Sequence, residues 1–298
     1  MLARGVGVPH FFHIRYGAIE GINNILEKEG ITLSKTLIVS GSKFTRTTAD
    51  KLETVINGSK CREYVDGNDL ASIKKVEDAI AIQEPSLVIG VGGGKVLDVT
   101  KFSCLRTDKP FIAMPTVLSN DGISSPISVI ASNGQSIKST GARPPIGIIV
   151  DLGIVKDSPR QTILAGIGDL ISNLSAVDDW NLANNTTGER VDRFAEILAK
   201  NSAEGFLHYV LKSALAQHGE NITNFDDKTI VSLAEGLIQS GIAMSLAGSS
   251  RPCSGSEHLI SHALDQLLGF AKPHGLQVGL ATLFTGLLHG REISDLLS

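Results

Sequence analysis

Three of the eight histidines in this 298-residue chain, His258, His262 and His274, fall within seventeen positions. They stand in Ser254-Gly255-Ser256-Glu257-His258-Leu259-Ile260-Ser261-His262 and in Pro273-His274-Gly275. His258 and His262 are four residues apart, so a helix puts both on one face, the spacing with which H-E-x-x-H sites hold a metal. The glutamate of that motif is missing between them, which excludes a metalloprotease of that kind. Two helix histidines alone describe a satisfied, partly buried pair equally well. A third histidine, before a glycine, and an acidic partner shift the balance. Gly166-Ile167-Gly168-Asp169-Leu170 sets a carboxylate in apolar surroundings at the expected start of a helix. There Asp169 would cap the helix or serve as a hard oxygen ligand. One carboxylate and two histidines make three protein ligands and leave a position open for substrate or water, an arrangement suited to Lewis-acid catalysis. Spacing alone does not choose two histidines from the three. His10, His13, His208, His218 and His289 are isolated and read as structural or surface residues.

A second group of residues has the chemistry of a phosphate cradle. Gly90-Val91-Gly92-Gly93-Gly94-Lys95-Val96-Leu97-Asp98 lies between a strand pattern and a helix pattern. Glycines let a backbone approach a pyrophosphate with its N–H groups free, and a helix N-terminus adds partial positive charge. The string is not G-x-G-x-x-G, and Val96 stands where a P-loop needs Ser or Thr, so a Walker-type ATP site is not expected. A tight strand-to-helix turn accounts for the same glycines without a ligand. Pro115-Thr116-Val117-Leu118-Ser119-Asn120-Asp121-Gly122-Ile123-Ser124-Ser125-Pro126 follows another strand pattern and gathers hydroxyls and one carboxylate. Polar loops at strand carboxyl ends are where open α/β sheets bind ligands.

The elements that must position these residues change along the chain. Thr36 to Ser40, Leu87 to Val91 and Pro110 to Pro115 are short apolar runs, separated by helical patterns at Ala49 to Ile56 and Val96 to Leu105. That alternation implies a mostly parallel sheet with helices on both faces. Ile123 to Ile130 and Ile146 to Val150 are also strand-like, and Ser132-Asn133-Gly134 between them predicts a hairpin outside the parallel part. Beyond residue 155 the texture turns helical: Ile163 to Leu182, with a break expected at Gly166 and Gly168, then Arg190 to Gln217 and Lys228 to Leu246. The expected organisation is an α/β domain over residues 1–155 and an all-helical domain over 156–298.

Composition is that of a globular protein, with 42% hydrophobic and 19% charged residues. A net charge of −4 offers nothing to recruit nucleic acid or an anionic membrane. Cys61, Cys104 and Cys253 form no C-x-x-C pair and no even framework, as expected of small buried residues in a reduced compartment. Met1-Leu-Ala-Arg-Gly does not open a signal peptide, and no run of some eighteen apolar residues marks a membrane span. The expectation is a soluble, cytoplasmic protein.

Together these segments resemble the superfamily of iron-containing alcohol dehydrogenases, glycerol dehydrogenases and dehydroquinate synthases, and within it the sn-glycerol-1-phosphate dehydrogenases. The resemblance runs from Gly92-Gly93-Gly94-Lys95 through the Pro115 to Pro126 loop, Ala142-Arg143-Pro144-Pro145, Gly168 to Asn173, Ala176 to Trp180, Ser249 to Pro252 and Ser254 to Asp265. Any one glycine string is weak, but the ordered set is specific; the first eighty residues match only in general pattern. The resemblance implies a Rossmann-like nucleotide domain, a helical domain and a site in the cleft between them. It implies hydride transfer between NAD or NADP and dihydroxyacetone phosphate, giving sn-glycerol 1-phosphate for lipid synthesis. Polyol dehydrogenation, a dehydroquinate synthase-like lyase reaction and a non-catalytic binding role are the other readings.

Carried onto this sequence, the resemblance makes Asp169, His258 and His274 the metal ligands, with zinc the usual ion and iron or nickel used by relatives. Gly94, Lys95, Val96, Leu97, Asp98, Thr116, Val117, Leu118, Ser119 and Ser125 would contact the nucleotide. Asp121, Asp169 and His262 would touch a small phosphorylated substrate, with His262 and Asp121 as catalytic candidates. Arg251 is a candidate phosphate ligand only by its position. A homo-oligomer is compatible with all of this. The resemblance ends near His289-Gly290-Arg291 and the chain at Ser298, so the helical domain is expected to be C-terminally short, with apolar surface left uncovered.

Overall fold

The computed structural model describes residues 6–132, 136–216, 225–268 and 272–291. Met1 to Gly5, the turn residues Asn133 and Gly134, Gln217 and His218 lie outside them. The chain divides into two compact units, one of residues 1–117 and 122–158, the other of Leu118–Asp121 and Pro159–Ser298.

The first unit is built on a six-stranded parallel sheet. In chain order it contains β1 (Phe11–Arg15), α1 (Ile22–Lys28), β2 (Lys35–Ser40), α2 (Arg46–Val55), β3 (Ser59–Tyr64), α3 (Leu70–Gln83), β4 (Leu87–Gly92), α4 (Gly94–Arg106), β5 (Phe111–Pro115), β6 (Ile127–Ser132), β7 (Ser136–Gly141), β8 (Gly147–Asp151) and α5 (Leu152–Lys156). The sheet order is β1-β8-β5-β4-β2-β3. The apolar runs form its interior: every residue of β4, β5 and β8 is buried, as strands covered on both faces require. The more polar Ser59–Tyr64 lies at an edge. One face packs Ile38, Ile89, Val91, Ile112, Met114 and Ile149 against Ile19, Ile22 and Leu26 around α1 and Ala49 and Leu52 of α2. Gly90 points to the other face, where Thr100 of α4 fills the space a side chain would take.

The chain leaves β2 toward β3 through α2 on one face, and leaves β4 toward β5 through α4 on the other. The carboxyl ends of the adjacent strands β2 and β4 are therefore a topological switch point, where open sheets leave a crevice. The Gly92-Gly93 turn lies there.

The predicted hairpin exists, with a different partner. Ile127–Ser132 pairs antiparallel with Ser136–Gly141 as a separate two-stranded sheet, while Gly147–Asp151 joins the parallel sheet between β1 and β5. Ser136–Gly141 is polar apart from Ile137, so its composition gave no strand signal, whereas the apolar Gly147–Asp151 run is what a central strand needs. Asp121–Ile123 is a short 3-10 turn rather than the start of a strand.

The second unit is helical: α6 (Arg160–Ile171), α7 (Asn173–Thr187), α8 (Arg193–Ala216), α9 (Asp227–Ala247), α10 (Ser256–Leu268) and α11 (His274–Leu288). Asp226 caps α9 by accepting from Thr229 N–H at 2.8 Å. Among the described residues α9 alone is long and apolar enough to cross a membrane, but 61% of its apolar window is buried inside the molecule.

The break predicted at Gly166 and Gly168 is absent: both lie inside α6, and the chain turns at Ser172 instead. The glycines serve packing. A methyl group on Gly168 would collide with the carbonyl of Gly275, one on Gly275 with the carbonyl of Ala165, and one on Gly279 would come within 2.7 Å of Gly168 Cα. Helices α6 and α11 thus meet backbone to backbone. In an open helix, Gly→Ala stabilises by about 1 kcal/mol; here the collision reverses the sign. Gly168→Ala or Gly275→Ala should lower stability by about 1–3 kcal/mol or more in urea denaturation. Gly205→Ala in α8, where a Cβ meets nothing within 4 Å, should raise it slightly.

Candidate metal and active site

The close approach of α6 and α11 sets two side chains against each other. Asp169 projects from the last turn of α6 and is 4% exposed. Its position rules out the helix-capping role that sequence allowed. His274 opens α11, and His258 lies in the first turn of α10. Asp169, His258 and His274 each offer one ligand atom, and the three atoms lie within 4.8 Å of one another. A carboxylate oxygen and two imidazole nitrogens are a donor set for a divalent transition metal.

The surroundings fit such an ion. His258 Nδ1 lies 2.8 Å from Glu257 Oε1, which also accepts from Gly255 N–H at 2.6 Å. His274 Nδ1 lies 3.0 Å from Ser261 Oγ. Each imidazole is thereby held by one nitrogen and keeps Nε2 for a ligand. Asp121 N–H donates to Asp169 Oδ2 at 2.9 Å, and Ser240 Oγ donates to Asp121 Oδ2 at 2.8 Å. Glu257 is fully buried, and its Oε2 has no hydrogen-bond partner. Three carboxylates thus crowd a buried site whose charge asks for a cation.

Electrostatics agree. Burial, and then the Asp121 carboxylate, push the Asp169 carboxyl up to about 8. Burial, with His258 and His262 adding to it, pushes His274 down to about 3, so it is a neutral ligand. Burial opposes charge on His258 too, but the Glu257 hydrogen bond and Asp169 outweigh it and raise that imidazole above its ordinary value. His262 is lowered by burial and by His258. Its ring stacks on His274 with centroids 5.9 Å apart and stands 6.5 Å from the ring of His258. Among the described residues the cluster able to hold a metal contains His258 and His274 and not His262.

The iron-containing alcohol dehydrogenase family model matches residues 13–159. The glycerol-1-phosphate dehydrogenase [NAD(P)+] of Saccharolobus islandicus is 39% identical over 290 residues, covering 96% of this chain and 79% of that protein. The chain belongs to the glycerol-1-phosphate dehydrogenase family. The enzyme of the same name from Pyrococcus furiosus is 42% identical over 228 residues, and the match spans 76% of this chain and 63% of that relative's length. The fold is shared with a probable glycerol dehydrogenase from Sinorhizobium meliloti, at TM-score 0.76 and 22% identity, covering 98% of this chain and 80% of that one. It is also shared with a sulfoacetaldehyde reductase from Bifidobacterium kashiwanohense in complex with NAD+, at TM-score 0.71 and 19% identity, covering 97% and 77%.

In this family member the nucleotide candidates fall in both units. Gly94 to Asp98 form the first turns of α4, whose N-cap Gly93 contributes no side-chain cap, so the first N–H groups have no cap partner. Lys95 is exposed, while Val96 and Leu97 are buried, so only their backbone could meet a ligand. Thr116, Val117 and Ser125 belong to the first unit, and Leu118 and Ser119 to the second, where Leu118 is buried with its carbonyl against Gly166. The ammonium of Lys101, 1% exposed, lies 3.5 Å from Ser125 Oγ and 3.3 Å from Asp98 Oδ1, and also donates to the Ile127 carbonyl. It joins α4 to the loop carrying Ser125.

Arg251 does not reach the site: it forms a bidentate pair with Glu189, with Nε to Oε1 at 2.8 Å. His289 Nε2 meets Asp179 Oδ1 at 2.8 Å, and Asp179 Oδ2 accepts from Ser256 N–H at 2.5 Å, anchoring the start of α10. Sequence reasoning gave no role to Glu257, Ser261, Ser240 or Gln277. Residues next to a ligand, or on another helix, follow no shared periodicity; the glutamate directly before His258 was the one available signal.

His258→Ala should abolish high-affinity zinc binding in a chelator competition, whereas His262→Ala should retain it; equal losses would make His262 a ligand. In the metal-free protein, Asp169 keeps its proton from near 3.8 to about 8 while the unfolded chain has released it. Its contribution therefore favours the folded form at low pH and is lost as pH rises through that window. Metal-free Asp169→Asn should lose less stability than the wild type between pH 5 and 8 in urea denaturation, with those pH points set roughly by the linkage relation.

Proposed function

We propose that this chain is a metal-dependent, NAD(P)H-linked dehydrogenase interconverting dihydroxyacetone phosphate and sn-glycerol 1-phosphate, a lipid-backbone precursor. The observation that carries it is the convergence of Asp169, His258 and His274 in a chain 39% identical to a glycerol-1-phosphate dehydrogenase over nearly its whole length. The glycine turn at the switch point supports the nucleotide half of the reading: free N–H groups at the start of α4 suit a pyrophosphate. Residues 1–155 act as the nucleotide-binding domain and 156–298 as the metal- and substrate-binding domain, with Asp121 contributed from the earlier loop.

Asp169 and the Nε2 atoms of His258 and His274 hold one divalent cation, zinc by preference. When bound, the cation supplies positive charge to the carbonyl oxygen and the reduced nicotinamide supplies the hydride. Asp121, fixed by Ser240, accepts from a substrate hydroxyl and orients the ketone. His262, neutral at physiological pH, takes the proton released in alcohol oxidation and returns it in ketone reduction.

The test is oxidation of NADH and NADPH with dihydroxyacetone phosphate, beside unphosphorylated dihydroxyacetone, in zinc, iron(II) or nickel(II). Turnover of the phosphorylated ketone giving the sn-1 product is expected, with His262→Ala lowering kcat about 100-fold or more. Faster reduction of plain dihydroxyacetone would make the protein a polyol dehydrogenase. Cofactor binding without turnover in any metal would make it a binding protein.

A further inference from the structure

An imidazole can ligate only through the nitrogen that lacks a proton, and the partner of its other nitrogen decides which that is. For His258 the choice is closed, because Glu257 Oε1 already accepts from Gly255 N–H and offers His258 Nδ1 an acceptor at 2.8 Å. His274 faces a hydroxyl, Ser261 Oγ at 3.0 Å, and a hydroxyl can donate or accept. What decides between the two lies further along. Ser261 Oγ donates to Gln277 Oε1 at 2.8 Å, so the serine turns a lone pair to His274, and Nδ1 must carry the proton. Gln277 could present either end of its amide, but Nε2 donates to Asp265 Oδ1 at 2.9 Å and to the Lys272 carbonyl at 3.5 Å. A carbonyl can only accept, and the carboxylate beside it does the same. The donors thus run one way, from His274 Nδ1–H to Ser261, Gln277 and Asp265. Ser261 is fully buried and Gln277 is 7% exposed, so solvent does not compete within the chain.

We propose that Gln277 and Asp265 are positioning residues that act through Ser261 to hold His274 as its Nδ1–H tautomer, leaving Nε2 for the metal. The consequence for metal affinity rests on the metal-site reading above, whereas the tautomer is a property of the metal-free protein. Neither residue touches the ligand atoms. Without Gln277 the serine proton is released and can turn to His274 Nδ1, which favours the Nε2–H form that cannot ligate.

The experiment is long-range 1H–15N correlation of the imidazoles in 15N-labelled metal-free protein at neutral pH, with zinc affinity measured in parallel by chelator competition. Wild-type His274 should show the Nδ1–H pattern, and Gln277→Leu should move it toward Nε2–H. Zinc affinity of Gln277→Leu should fall about tenfold or more. Ser261→Ala should also weaken zinc, and adding Gln277→Leu to it should cost nothing further, because the effect passes through the serine. Asp265→Asn, at the solvent end of the chain, lets the Gln277 amide turn over and should shift the tautomer the same way without touching the core; it also serves if Gln277→Leu does not fold. A wild-type Nε2–H pattern, no shift in the variants, or additive losses in the double variant would overturn the proposal. The expected tautomer shifts with flat zinc affinity across all variants would leave the tautomer assignment standing and sink the metal reading instead.

Discussion

The backbone contact between α6 and α11 is the constraint on which the site depends. Gly168 and Gly275 face each other with no room for a methyl group, and each is adjacent in sequence to a proposed ligand, Asp169 or His274. A glycine next to a proposed ligand thus becomes a spacer that draws two helix backbones together until ligand atoms of their neighbours' side chains lie within 4.8 Å of each other. The same device recurs at Gly255, where a Cβ would lie 2.5 Å from Asp179 Oδ2 and 2.9 Å from Ala176 Cα. That close approach seats the start of α10 on α7 and so places His258. The cost in helix propensity is about 1 kcal/mol per glycine, a term that the tight packing must exceed.

The site assembled this way is poorly satisfied in its own charges. A buried carboxyl pushed up to about 8, a neighbouring aspartate, a buried glutamate oxygen without a partner and a histidine pushed down to about 3 are each unfavourable alone. The hydrogen bonds around them do not remove that tension; they direct it. Asp121 N–H and Ser240 hold the two aspartates, Glu257 and Ser261 hold the two imidazoles, and the remaining lone pairs converge. Such preorganisation leaves little to rearrange when positive charge arrives.

How legible this was differs by element. The central strands were readable because burial on both faces leaves near-continuous apolar runs, as in Leu87–Gly92 and Phe111–Pro115. The polar Ser136–Gly141 was not, since backbone pairing to Ile127–Ser132 rather than side-chain pattern makes it a strand. Gly166 and Gly168 read locally as helix breakers, because propensity cannot see that another helix will occupy the missing side-chain volume. Arg251 read as free for an anion only because Glu189, sixty-two positions away, had no visible connection to it.

By itself the sequence determined the chemical inventory: an open α/β sheet, a glycine turn between a strand and a helix, a helical second half, and an aspartate and three histidines of the right kinds for a divalent cation. Identity and order along the chain carry that much, since side-chain chemistry and strand burial are local properties. Residue spacing left open which two of the three histidines belong with Asp169; the family resemblance pointed to His258 and His274, and the tertiary structure brings those two together with it. His258 and His262 share a helix face and by spacing alone could grip one ion, yet the ligand atom that lies with those of His258 and Asp169 is that of His274. Packing α11 against α6 brings Asp169 and His274 toward His258 from two other helices and leaves His262 stacked beside His274, outside that group of ligand atoms.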